Sequence, residues 1–209
     1  METSELQQKL SDLGFAPGAV DGVEGPMTRT AAARFQLACN LTGHQDLTVD
    51  AIPGPQTWAA LNAAHAPRRL SDHFSVAELR SKGDGTCWVH RDLLKGLEAL
   101  RAHVGRPLPI VSAWRDPAHN RRVGGAASSQ HTFGDATELQ AIRVRLARSA
   151  HLAASRAADF NRGYITLEDA RSLQLFSGMG WRQDGEQWIT HVDTRTNANP
   201  ANPTVWRYG

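Results

Sequence analysis

The chain has 209 residues, 41% of them hydrophobic and 21% charged, with a formal net charge of +2. That is enough to bury a real core in one or two domains, and the mixed charge without a like-charged run gives nucleic-acid binding no support. No apolar run approaches the roughly 18 residues of a membrane span, and the opening METSELQQKLSDLGF lacks a basic segment followed by an apolar one, so synthesis in the cytoplasm without a Sec-type signal is expected.

In chain order, Leu6, Leu10 and Leu13 recur at helical spacing, and Gly14 stands where a helix would end. Asp21-Gly22 through Gly25-Pro26 then makes a turn, with Pro26 opening a second helix whose apolar face holds Ala31, Ala32, Phe35 and Cys39. The turn repeats 29 residues later, Asp21, Gly25, Pro26 and Thr28 returning as Asp50, Gly54, Pro55 and Thr57 before Trp58 and Leu61. With Leu13-Gly14-Phe15, Pro17-Gly18 and Phe35-Gln36, this pattern resembles the peptidoglycan-binding-type three-helix module over residues 3 to 64. The resemblance implies bacterial peptidoglycan as partner, with the module at 1–66 and a second domain at 67–209. The two cysteines, Cys39 and Cys87, are read as reduced, partly buried thiols.

Beyond a linker at Pro67-Arg68-Arg69, Ser71 to Ser75 caps the start of the second domain. Leu93, Leu94, Leu97, Leu100 and Val104 form one stripe of a core helix over Arg91–Val104, so His90 and His103 read as ordinary helix histidines. Leu108 to Ser112 reads as a strand delivering Arg115 to a cleft, Asp135 to Leu139 as a strand, residues 141–158 as an Ala, Arg and Leu-rich helix, and Leu167 to Leu175 as a short one. A hairpin follows, Gly178 onward returning through Gln187 to Asp193 around Gln183-Asp184-Gly185-Glu186, and Thr194 to Gly209 reads as coil closed by Trp206. The fold class expected is α+β: a small three-helix domain, then a domain with an antiparallel sheet and flanking helices.

His131 and Glu138 lie seven residues apart across Gly134, and His191 about sixty residues on, a spacing that suits two imidazoles and a carboxylate around one metal ion. Spacing alone is weak support in a chain with nine histidines. Ser129-x-His131, Gly134-x-Ala136-x-Glu138 and His191-x-Asp193, preceded by Ser112-Ala113-Trp114-Arg115, Asn120 and Val123-Gly124-Gly125, resemble the zinc D,D-peptidase side of the hedgehog/D,D-peptidase superfamily. The resemblance implies Zn2+ held by His131, Glu138 and His191, with Arg115 and Ser129 binding substrate. Two positions depart from the family pattern: Glu138 stands where Asp is usual, and Trp188 where many members carry the general base. Asp193 is the first candidate to replace that base, because on a strand it shares a face with His191; Glu186 is the second, on the opposite parity unless a bulge intervenes.

The function expected is a zinc metallopeptidase acting on peptidoglycan peptides, a monomer resembling a phage endolysin. A bacterial effector, a D,D-carboxypeptidase and a wall-binding protein with a degenerate peptidase fold are the alternatives.

Overall fold

The protein is described by a computed structural model that covers residues 2–132, 155–195 and 199–209. It is α+β, with three helices followed, among the described residues, by mixed helices and one sheet.

The first three helices are α1 (Thr3–Asp12), α2 (Pro26–Ala38) and α3 (Pro55–His65). Helix α1 stops where expected: Gly14 has φ +80°, and Phe15 N–H closes back on the Leu10 carbonyl at 2.9 Å. The 29-residue repeat has a physical basis in two buried glutamines. Gln7 donates to Asp21, the Val23 carbonyl and Thr28 while its Oε1 accepts from the Asp21 and Gly22 amides. Gln36 does the same with Asp50, the Ile52 carbonyl, Thr57, and the Asp50 and Ala51 amides. Each glutamine pins a turn that has no strand or helix of its own to satisfy its backbone.

The remaining elements are α4 (Val76–Leu79), α5 (Arg91–Val104), β1 (Ile110–Ser112), α6 (Pro117–Arg122), β2 (Ala157–Phe160), α7 (Leu167–Ser172), β3 (Gly178–Asp184), β4 (Glu186–Asp193) and β5 (Thr204–Arg207). The sheet runs β1-β2-β4-β3-β5, antiparallel throughout except for the parallel β3–β5 pair. Two expectations are corrected. The helix expected over 141–158 does not include its last residues, since Ala157 and Ala158 open β2; residues 133–154 lie outside the described residues, as does the strand expected at 135–139. The tail is not all coil, because Thr204–Arg207 adds β5 to the edge of β3.

One apolar core runs from Leu6 through Trp58, Leu70 and Leu97 to Val192, so it does not stop at the 66/67 boundary expected from sequence. Cys39 and Cys87 are free and buried within it, and burial pushes their thiols up to about 11 and about 12. Among the described residues no helix is long and apolar enough to cross a membrane.

Candidate metal centre

Helix α6 starts the approach to the site. Asp116 caps it by accepting from the Ala118 and His119 amides, and Asn120 on its buried side donates to the Ala126 carbonyl at 2.9 Å, which fixes the following loop. Gly125 is required there, for a Cβ would stand 2.1 Å from Asn120 Oδ1. The loop ends in a tight turn in which Ser129 Oγ accepts from the His131 amide at 3.3 Å. His131 is thereby carried to the end of β1, where its Nδ1–H donates to the Ala113 carbonyl at 2.7 Å. A carbonyl can only accept, so Nε2 is the nitrogen left with a lone pair. It faces Asp159 Oδ1 at 3.2 Å.

Asp159 sits on β2 directly opposite His191 on β4. His191 Nδ1 lies 2.8 Å from the same Oδ1, while its Nε2 lies 3.4 Å from Asp193 Oδ2 on the other side of the ring. The carboxylate of Asp193 is fully buried and also accepts from Arg195, through Nε at 2.7 Å and through its second nitrogen. Outer hydrogen bonds thus fix both imidazoles in complementary tautomers, His131 offering Nε2 and His191 offering Nδ1 toward one carboxylate. Among the described residues, His131, Asp159 and His191 form the one group whose ligand atoms all lie within 4.8 Å of one another.

Electrostatics follow the geometry. Burial alone would raise the Asp159 carboxyl, but His131 and His191 in their protonated form donate to it, and those hydrogen bonds and charges outweigh burial and hold it well below the usual carboxylate range. Burial likewise works against Asp193, yet Arg195 and His191 bring it down to about 2. His191 is lowered by burial and raised by Asp159 and Asp193, with the net shift upward.

Of the residues expected at the site, His131 and His191 are brought together, Arg115 borders them, and Asp193 stands behind His191. Arg115 donates to Asp159 Oδ2 and, through Nε, to Ser112 Oγ at 2.8 Å. Ser129 shapes the loop beneath His131. Glu186 is placed apart from them: it is exposed at the hairpin tip, five residues along β4 from His191, a distance of roughly 16 Å on a strand. Glu138 lies outside the described residues. The carboxylate that meets the two histidines among the described residues is Asp159, which the sequence reading passed over. Its signal was present, since Ala157-x-Asp159 repeats the Ala-x-Asp half of the motif more faithfully than Ala136-x-Glu138 does.

An open cleft of about 570 Å³ leads to this group, bordered by Arg115, Asp159, Arg162, Arg182, Thr190 and Tyr208. Trp206 on β5 closes the far side of His191, with ring centroids 5.3 Å apart.

Residues 72–172 match the family described as Peptidase M15, and residues 2–61 match the one described as Putative peptidoglycan binding domain. Over residues 72–172 the chain is thus similar to peptidase M15 domains. The chain is also 31% identical over 134 residues to the zinc D-Ala-D-Ala carboxypeptidase of Streptomyces albus G, a match covering 59% of this chain and 50% of that protein. The chain therefore spans about half the length of the curated relative it matches. In the second domain, the donor set of two imidazoles and one carboxylate, with tautomers fixed from outside, suits a metal ion of the zinc type.

Proposed function

We propose that the second domain is a zinc-dependent peptidase of peptidoglycan peptides, with His131, Asp159 and His191 as the metal ligands. The observation that carries this reading is the convergence of His131 Nε2 and His191 Nδ1 on one Asp159 oxygen. Zinc held there supplies Lewis acidity toward a peptide carbonyl and toward water. Arg115, which donates to Asp159 and borders the cleft, would offer a planar fork to a substrate carboxylate or carbonyl. Arg162 and Arg182 keep the rest of the cleft cationic, which favours peptides that carry free carboxylates, as wall stem peptides do.

Asp193 serves to orient His191 in this reading, because it faces the ring's outer nitrogen and is shared with Arg195. The N-terminal module holds the enzyme at its insoluble substrate, raising the effective concentration of bonds to cleave. The role is lytic endopeptidase, of the endolysin kind. Purified protein should hold one zinc per chain and release peptides from sacculi, and a chelator should abolish the release.

A second reading, a wall-binding protein without turnover, is favoured by one observation. Asp159 is the only carboxylate among the described residues bordering the cleft, and Trp188 occupies the expected base position. Stoichiometric zinc and sacculus binding without any released peptide would select it.

A further inference from the structure

Ala136-x-Glu138 is followed 21 residues later by Ala157-x-Asp159, so the second half of the metal motif is written twice. Asp159 is the copy that reaches both imidazoles. The described residues on either side of the intervening stretch also meet in space. Arg156 N–H donates to the Gln130 carbonyl at 2.9 Å, and the Ala113 carbonyl accepts both from His131 Nδ1 at 2.7 Å and from Ser155 Oγ at 3.1 Å. The chain passes Thr132 and, by Ser155, is back at the same carbonyl.

We infer that residues 135–155 are an insertion in a metal-binding motif that is complete without them. With the stretch removed, Gly134 runs into Arg156 and the chain reads Ser129-Gln130-His131-Thr132-Phe133-Gly134-Arg156-Ala157-Ala158-Asp159. The join is short enough to make. Two residues between Thr132 and Arg156 span up to about 11 Å. Gln130 and Arg156 would then stand five positions apart, the separation at which Phe15 N–H already bonds to the Leu10 carbonyl at the end of α1.

Gly134 would take the place of Ser155, whose amide donates to the Trp88 carbonyl at 2.7 Å and whose carbonyl accepts from His90 N–H at 2.9 Å. Glycine offers the same two backbone groups. The hydroxyl lost with Ser155 leaves the Ala113 carbonyl still satisfied by His131. Closure entropy grows only slowly with loop length, so a stretch whose two ends are already in contact is the kind of place where an insertion is tolerated.

The inference rests on the proposed zinc site, and the test separates the two. Zinc content and chelator-sensitive melting are measured for the full chain, for the chain lacking 135–155, and for a full chain in which residues 143–148 are replaced by a specific protease site and then cut. All three are expected to hold one zinc and to lose melting temperature equally on chelation. In the full chain, Glu138→Ala should keep the metal and Asp159→Ala should lose it. If the full chain holds zinc but the shortened and the cut proteins both lose it, or Glu138→Ala loses it, the insertion reading is overturned. If the full chain holds none, the proposed function falls. The insertion is then judged by melting alone, a drop of more than about 5 °C on deletion counting against it.

Discussion

Asp193 and Arg115 are the two residues at the site whose roles differ most between an orienting and a reacting group. Asp193 has no exposed surface, and its two oxygens are occupied by His191 and Arg195. Asp193→Asn keeps the shape but weakens both interactions. Zinc affinity should fall about 10 to 100-fold, as loss of an outer partner of a ligating histidine typically does. Turnover at saturating zinc should change little. A fall of about 10² to 10⁴-fold at full metal occupancy would instead identify Asp193 as a general base. Arg115→Lys should leave zinc content intact and lower kcat/KM by at least about tenfold, because an ammonium cannot reproduce the paired donors that now reach Asp159 and Ser112. Titration of bound zinc alongside steady-state rates reads both variants.

At the scale of elements, close backbone approach holds the site together. Gly178 on β3 lies against Asp193, and a Cβ there would sit 2.4 Å from Oδ2, so Gly178→Ala must push the carboxylate away from His191. A cost of about 1 to 3 kcal/mol is expected, with weaker zinc binding, measured by denaturant melts with and without chelator. Asp116 is the clasp between α6 and the 81–84 loop, accepting from Ser81 Oγ at 2.7 Å and the Asp84 amide at 3.2 Å. Burial raises its carboxyl, but four hydrogen bonds outweigh that and set it below the ordinary value. A depressed folded value means that its stabilisation is complete above the unfolded pKa, near 3.9, and is lost as pH falls through the folded one. Asp116→Asn should therefore flatten the acid limb of the stability profile below about pH 4.

The elements that sequence made legible are those with local punctuation. The helices α1 to α3 and α5 carry 3.6-residue apolar spacing closed by Gly or opened by Pro, and the β3–β4 hairpin turns on Gly185. Strand β5 was not legible, because a parallel edge strand takes its partner from a distant connection and leaves no hairpin signal. Parity along β4 also misleads beyond His191, since the register shifts between Gly180 and Trp181 and leaves Thr190 as an extra residue. Asp159 was missed because an alanine-rich, helix-like run extends up to it, and because an earlier half-motif had already supplied a carboxylate.

Across the whole molecule, the N-terminal module is built into the rest of the chain as well as attached to it. Arg91 at the start of α5 is buried, and its guanidinium donates to the Gln36, Leu37 and Leu47 carbonyls, all on the module side. Arg34 of α2 stacks 3.4 Å above Trp88, which packs on Trp114 at 5.0 Å, and Trp114 adjoins the Ala113 carbonyl that orients His131. The Cys87 amide donates to the Gly14 carbonyl at 2.9 Å. A path of contacts therefore runs from the module to His131, one of the proposed metal ligands. Deleting residues 1–66 should remove more than wall affinity: it strands the Arg91 charge without its acceptors and uncovers Trp88, so cleavage of a small soluble muropeptide should fall along with sacculus lysis. Arg91→Ala in the full chain gives the milder test. Losing hydrogen bonds from a buried charged group costs about 1.5 to 3 kcal/mol, which in a chain of this size lowers the melting temperature by roughly 3 to 12 °C. Calorimetry should show one cooperative transition that shifts as a unit. Two separate transitions, with only the first moved by Arg91→Ala, would mean that the module is a tethered anchor and that the rest of the chain stands without it.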